Sequence, residues 1–234
     1  MSIMIKTNGG GFKGDLGNFI GRFLQKLDVA LVRYVRASKL HGGIGEPGFW
    51  YTEQRTKTFV TLALAQVTKG YFMQEPPVSR SGGSTSAKAD YFAHTGKNGC
   101  FLEVKQAWVG ANKGIQPGMA LGNLKTKHEE CVKQIKRITK PSYRNWSANT
   151  SIAMTLGTIH RTPGRQDSRS ASVSIESMEE SVADLLSVNT IHAVGIIVFS
   201  PANSGWVTWN SLKKGDMKEA YPAVLVPIYH KKFA

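Results

Sequence analysis

Cysteine is scarce in this sequence, with only Cys100 and Cys131 among 234 residues. Two cysteines cannot build a disulfide framework, so we expect reduced thiols in a protein of the cytoplasm. Every apolar run is interrupted within a few residues, which argues against a transmembrane segment and predicts no membrane partner. Residues 1–13 are polar and glycine-rich and do not resemble a signal peptide. The sequence therefore predicts a soluble cytoplasmic protein.

Two motifs that would identify common functions are also missing. The sequence has no G-x-x-x-x-G-K-[ST] motif, so an intrinsic nucleotide-hydrolysing motor is not expected. A zinc site needs about four closely spaced ligands, whereas only His128 and Cys131 lie three residues apart on one segment. The sequence thus argues against both a P-loop enzyme and a structural zinc domain.

Acidic residues are few relative to basic ones. The chain has 16 Asp and Glu against 30 Lys and Arg, which gives a formal net charge of +14. An excess of this size favours a polyanionic partner, because neutralising phosphates releases condensed counterions. Nucleic acid is the partner that we expect. A merely basic soluble protein, or one that touches anionic membranes, is the alternative.

Apolar periodicity and turn residues divide the chain into helices and strands. The predicted helices are residues 15–39, 49–69, 125–139 and 175–187, and the predicted strands are residues 71–73, 87–93, 100–109, 150–159, 192–200 and 223–229. Residues 1–14 are interpreted as a loosely docked arm and residues 211–221 as a short polar segment. We predict an α/β (α+β) fold with a central mixed β-sheet flanked by helices. Residues 1–45 form an arm and helix in this scheme, and residues 46–234 form the main domain of one compact unit.

The segment from Lys88 to Trp108 contains the residues that point to chemistry. Asp90 is on one short predicted strand, and Glu103 and Lys105 are on the next. Side chains alternate along a strand, so Glu103 and Lys105 project from the same face. A hairpin centred on residues 96 and 97 places Asp90 directly opposite Glu103, and one centred on residues 98 and 99 shifts it by a few residues. Both registers bring two carboxylates and one ammonium together.

These three groups suit a site for a divalent cation and phosphate. Carboxylates are hard oxygen ligands for Mg²⁺, which keeps several waters and binds substrate phosphate as well. The metal would polarise a scissile phosphoryl group and activate water. Lys105 would orient that water and offset charge in the transition state. Its role as a base depends on a shift from the ordinary lysine pKa of about 10.4.

The arrangement resembles the PD-(D/E)xK, or restriction-endonuclease-like, nuclease superfamily: an Asp at position 90, twelve residues with a turn, then Glu103-x-Lys105. The resemblance covers residues 46–160 and implies an αβββαβ core with the motif on a hairpin. It also implies Mg²⁺, for which Mn²⁺ substitutes, held by Asp90, Glu103 and a helix glutamate. Glu53 is the matching residue, because it lies seven residues before Val60 and near the core-facing stripe of its helix.

The match departs from the family pattern in one position and narrows the activity in another. Ala89 stands where many members have proline, which the family tolerates. Gln134 is followed four residues later by Ile138, so the Gln-x-x-x-Tyr signature of the exonuclease branch is not matched. The resemblance therefore implies an endonuclease that hydrolyses DNA, as in restriction, phage-defence, transposition or repair systems.

A basic segment after the motif is the predicted nucleic-acid surface. Its candidates are Lys125, Lys127, Lys133, Lys136, Arg137 and Lys140. For each of them a solvated helix face is the alternative. DNA is the expected partner, in a homodimer or in a larger nucleoprotein or defence complex. The apolar stripe of residues 15–39 suits either a dimer interface or core packing.

Three alternatives remain open from the sequence. In the first, Asp90 and Glu103 are solvated residues on an exposed sheet face and Lys105 is their ion-pair partner. The protein is a nucleic-acid-binding or assembly subunit with the same fold and no catalysis in the second. The third is cleavage of RNA by the same site, since nothing identifies a contact to a 2′-hydroxyl.

Overall fold

The secondary structure is described for residues 2–8, 12, 14–40, 53–82, 87–94, 99–111, 121–160, 178–199, 205–211 and 215–233 of a computed structural model. The helices in these ranges are α1 (Asp15–Leu40), α2 (Glu53–Val67), α3 (Gly122–Lys136), α4 (Lys140–Asn145) and α5 (Glu179–Leu186). The strands are β1 (Ser2–Thr7), β2 (Phe72–Gln74), β3 (Tyr91–His94), β4 (Gly99–Gly110), β5 (Ala148–His160), β6 (Ala193–Val198), β7 (Gly205–Ser211), β8 (Gly215–Tyr221) and β9 (Ala223–Lys232).

Seven of these strands form one mixed sheet in the order β1-β6-β9-β5-β4-β3-β2. Strands β2, β3 and β4 form an antiparallel meander. Strand β5 then pairs parallel to β4, after a crossover that contains α3 and α4. All other described pairs in this sheet are antiparallel. The prediction of a mixed sheet flanked by helices is confirmed.

Helices cover both faces of this sheet. The buried residues of α1 and α2 pack with those of β4 that alternate as Cys100, Leu102 and Val104. The opposite face of β4 packs against α3, α4 and α5 through Phe101, Ala107 and other residues. Period-two alternation along β4 therefore sorts its side chains between two hydrophobic layers. None of the helices in the described ranges is both long enough and apolar enough to cross a membrane.

Helix α1 belongs to the core of the molecule. Its apolar stripe, which suited either a dimer interface or core packing, is buried against α2 and the sheet. The residues of this stripe with almost no exposed surface are Phe19, Ile20, Phe23, Leu24, Leu27 and Leu31. The apolar stripe of α1 therefore packs in the core.

Two segments that the sequence analysis left without regular structure form strands, and the helix predicted for residues 125–139 ends at Lys136, before the bridge at Ile138. Residues 2–7, expected in a loosely docked arm, form β1 and pair with β6 at the sheet edge. Residues 215–221, expected in a polar segment, form β8 and pair with β7. β1 pairs with a strand that is distant in sequence, and β8 is itself polar, so the hydrophobic periodicity of these segments did not indicate strands. Residues 49–52, 175–177 and 200, assigned to elements above, lie outside the described residues.

The β3–β4 pairing settles the register around the motif. Tyr91 pairs with Leu102 and His94 with Gly99, so the hairpin is centred on residues 96 and 97. The strand prediction for residues 87–93 is correct only from Tyr91. Residues 87–90 instead make irregular antiparallel contacts, including a bridge between Lys88 and Pro77. Continuing the register by one residue sets Asp90 across from Glu103.

Candidate active site

Asp90 is fixed at the end of the hairpin by three contacts. Its backbone carbonyl accepts a hydrogen bond from the Glu75 amide at 2.9 Å. Its side-chain Oδ2 accepts one from the Val104 amide at 2.8 Å, beyond the point where β3 stops pairing with β4. Its Oδ1 lies 2.7 Å from the Lys57 Nζ of α2. The carboxylate thus closes the open edge of β4 and connects it to α2.

Glu103 lies in the middle of β4 on the face covered by α3. Only 2% of its surface is exposed, and its carboxylate forms an ion pair and hydrogen bond with the Arg80 guanidinium. Burial, and next the negative charge of Asp90, raise the pKa of Glu103 to about 8, although Arg80 and Lys105 act in the opposite direction. A buried carboxylate of this kind favours an additional positive charge beside it.

Lys105 lies two residues beyond Glu103 on the same face of β4 and is half-buried. Its charge lowers the pKa of Glu103 and also contributes to lowering that of Glu130 in α3. The Lys105 ammonium therefore acts on carboxylates of both β4 and α3. Asp90 and Lys105 thus both act on the Glu103 carboxylate, and the joint role of the three residues in a site stays a prediction.

The structure contradicts the first alternative for this motif, in which Asp90 and Glu103 are solvated residues on an exposed sheet face. The Glu103 side chain is 3% exposed and the Asp90 side chain 12% exposed, so neither is a solvated residue on an open sheet face. Their ion-pair partners are Lys57 and Arg80, which come from separate segments. An isolated surface pair contributes little to stability, whereas these two carboxylates share one enclosed site.

Glu53 is the first residue of α2, one helical turn before Lys57. Its backbone is therefore at the N-terminal end of α2, the helix whose Lys57 contacts Asp90. The side chain of Glu53 lies outside the described part of the structure, so its role as a third metal ligand stays a prediction.

Lys57 and Arg80 are site residues that the sequence reasoning missed. Lys57 follows Glu53 by one turn of a predicted helix, and this spacing was a usable signal. Arg80 belongs to a serine- and glycine-rich segment and has no such signal. It reaches the site because residues 79–81 pair with residues 137–139 after α3: the Ser81 amide donates to the Arg137 carbonyl at 2.8 Å, and Arg80 forms an antiparallel bridge with Ile138.

The six predicted nucleic-acid-binding residues divide into two groups. Lys125 pairs with Asp184 at 2.9 Å and Lys127 pairs with Glu130 at 2.8 Å, so both have acidic partners within the protein. The other four are exposed on the second half of α3 and the residues after it: Lys133, Lys136, Arg137 and Lys140. We call these four the basic stretch. Pairing of residues 79–81 with residues 137–139 brings one end of the basic stretch beside Arg80.

The donor set fits a magnesium ion of the kind that also binds substrate. Mg²⁺ is commonly held by one or two protein carboxylates, with water and phosphate oxygens completing its coordination. Asp90 and Glu103 are two such carboxylates, and they lie close enough for the charge of Asp90 to raise the pKa of Glu103. Within the described residues no group of three or more His, Cys, Asp or Glu forms a metal site. Among the described residues these two carboxylates are therefore the ligands that a metal here would have, and the predicted ligand Glu53, water or phosphate would complete its coordination.

Comparisons with known proteins add no relative to this picture. The chain matches no protein-family model, no curated protein and no solved structure. Its function must therefore be inferred from the geometry and charge of the site.

Proposed function

We propose that the protein is a divalent-metal-dependent nuclease that hydrolyses DNA phosphodiester bonds as an endonuclease. The observation that supports this most directly is the position of Asp90 across from Glu103, with Lys105 two residues further along β4 on the same face. Two carboxylates and an ammonium meet in an enclosed site of a protein whose net charge is +14. This combination suits a phosphate ester as substrate.

The order of elements around the site supports membership of the PD-(D/E)xK superfamily as part of the proposal. Helix α2 is followed by the antiparallel meander of β2, β3 and β4, then by α3 and a parallel strand β5. This is the αβββαβ order that the sequence resemblance implies. Asp90 and Glu103 also occupy the hairpin on which that family carries its motif.

The proposed mechanism assigns a separate task to each side chain. Asp90 and Glu103 would hold Mg²⁺, or Mn²⁺ in its place, and Glu53 would add a direct or water-mediated ligand. The ion would supply polarisation of the scissile phosphate and a lower pKa for a water at the site. Lys105 orients the attacking water and offsets negative charge on the phosphate as the bond to the leaving oxygen breaks. Burial of Glu103 keeps bulk water away from one side of the site.

The basic stretch is the proposed track for the DNA backbone. Its four cations are exposed and adjoin the segment of Arg80, so phosphates on either side of the cleaved bond would meet positive charge. Each phosphate neutralised adds about 0.9 to the slope of log affinity against log salt. Binding through this surface is therefore expected to weaken steeply as salt concentration rises.

Plasmid cleavage by the purified protein tests this proposal. We expect nicking or linearisation in Mg²⁺ and in Mn²⁺, and none in EDTA. Asp90→Asn preserves the shape of the side chain and removes a metal ligand, and Lys105→Ala removes the positioning cation. Both should reduce the rate by at least about a hundredfold.

A matched control separates loss of chemistry from loss of charge. Lys88→Ala removes an exposed cation in the same region, whose partner Glu75 is exposed as well, and cleavage should persist. Folding of every variant is checked by circular dichroism. Cleavage by folded Asp90→Asn at the wild-type rate would refute the proposed centre, and parallel assays on RNA identify an RNA-cleaving enzyme.

A second candidate function has one structural observation in its favour. Lys57 and Arg80 already contact the two carboxylates, as in a structural ion-pair network without catalysis. A non-catalytic nucleic-acid-binding or assembly subunit would bind DNA equally well with Mg²⁺ and with EDTA. Its binding would also be unchanged by Glu103→Gln, whereas a nuclease site would lose its dependence on the metal.

A further inference from the structure

Arg80 has an incomplete set of partners in the site. Its Nη2 donates to the Glu103 carboxylate and, at 2.7 Å, to the backbone carbonyl of Lys88. Its Nε is buried and has no hydrogen-bond partner among the described residues. A guanidinium offers five N–H donors in a planar fork, and a buried donor without a partner destabilises the folded protein. The present contacts therefore leave donor capacity unused beside Glu103.

The local charges also point to an anion. Arg80 contacts Glu103, and Lys57 and Lys105 also act on Glu75 and Glu130, so acidic groups of the protein offset part of the positive charge here. A divalent cation bound to the carboxylates would add positive charge to the site. It would also compete with Arg80 for the same carboxylate of Glu103. Phosphodiester groups, each of which carries one negative charge, would offset the charge that the cation adds.

We propose that Arg80 is a phosphate-binding residue that leaves Glu103 when a divalent cation binds there and then donates to an oxygen of the substrate backbone. This inference rests on the proposed function. Arginine suits the task because its fork matches phosphate oxygens bidentately and its charge is permanent. Its backbone is held by pairing with residues 137–139, so only the side chain has to move. The same pairing places it between Glu103 and the basic stretch.

Metal binding without DNA provides the first test. Mn²⁺ is titrated calorimetrically into wild type, Arg80→Gln and Lys88→Gln under identical conditions of pH and salt. Removing Arg80 removes a competitor, so Arg80→Gln should bind Mn²⁺ about tenfold more tightly, a difference of about 1.4 kcal/mol. Lys88→Gln deletes the same charge without touching either carboxylate and should bind as wild type does. Equal or weaker binding by Arg80→Gln would overturn the proposal.

DNA binding provides the second test. Affinity for a short duplex is measured in Ca²⁺ over a range of salt concentrations. Arg80→Gln should bind more weakly, and the slope of log affinity against log salt should fall by about one, the contribution of one phosphate contact. An unchanged slope would mean that Arg80 has only a structural role and would overturn the proposal.

Two further variants keep the outcome interpretable. Arg80→Lys retains the charge and loses the planar fork, so it should bind Mn²⁺ as wild type does and DNA more weakly. Arg80→Lys replaces Arg80→Gln in the DNA-binding test if Arg80→Gln does not fold. Asp90→Asn tests the metal site itself: equal Mn²⁺ binding by this variant and wild type would refute the proposed function. If Asp90→Asn weakens Mn²⁺ binding while Arg80→Gln changes neither readout, only the assignment of Arg80 fails.

Discussion

Glu103→Gln should change how the stability of the protein depends on pH. Burial, followed by the charge of Asp90, raises the pKa of Glu103 from 4.5 to about 8. Between these two values the folded protein holds a proton that the unfolded chain has released. The free energy of unfolding therefore decreases as pH rises, by up to about 1.4 kcal/mol per pH unit. The loss of stability caused by ionising the buried Glu103 is absent below pH 4.5 and complete above about pH 8.

Urea unfolding of wild type and Glu103→Gln between about pH 5 and pH 8 measures this effect. The stability of wild type relative to the variant should fall by about 1 kcal/mol for each pH unit. Asp28, whose pKa burial raises to about 6, contributes to both proteins and cancels in the difference. Glu75→Gln is the matched control, because Glu75 is exposed and its hydrogen bond to Lys88 lowers its pKa.

Parallel stability curves for wild type and Glu103→Gln would refute the reasoning. They would mean that Glu103 is already ionised at pH 5 in the folded protein. The Arg80 guanidinium would then outweigh both burial and the charge of Asp90. A steeper downward slope in wild type than in Glu103→Gln would instead identify Glu103 as a group that reduces stability in its charged form, as functional carboxylates often do.

Two further predictions concern the packing that positions the site. Gly157→Ala would place a Cβ 2.7 Å from Leu124 of α3, so it should lower the free energy of unfolding by about 1–3 kcal/mol in urea titrations; Gly110→Ala, where nothing lies within 4 Å, should not. Burial lowers the pKa of His128 to about 4, and its Nε2 lies 2.9 Å from the Thr190 carbonyl. The contribution of His128 to stability should therefore fall as pH drops from 6.5 toward 4, so the difference in free energy of unfolding between wild type and His128→Gln should change over this range, and a constant difference would contradict the shift. The pKa of His230, which burial also lowers to about 4, affects both proteins and cancels in the difference.

Local sequence signals were sufficient where an element owes its structure to its own residues. The apolar spacing of residues 15–39 predicted α1, and alternation along β4 predicted that Glu103 and Lys105 share a face. The register about residues 96 and 97 was one of two foreseen. Elements that depend on pairing with another strand were missed: β1 pairs with β6, which is distant in sequence, and β8 pairs with its neighbour β7.

The sequence by itself determined the carboxylates, the motif lysine and the positive net charge, because spacing and alternation act over a few residues. Only the tertiary structure decided which cations meet those carboxylates. Lys57 contacts Asp90 from α2, and Arg80 contacts Glu103 because its segment pairs with the chain after α3. Burial of Glu103, and hence its raised pKa, likewise requires the helix layer over β4. Long-range packing and desolvation set these properties, and neither is encoded in the spacing of neighbouring residues.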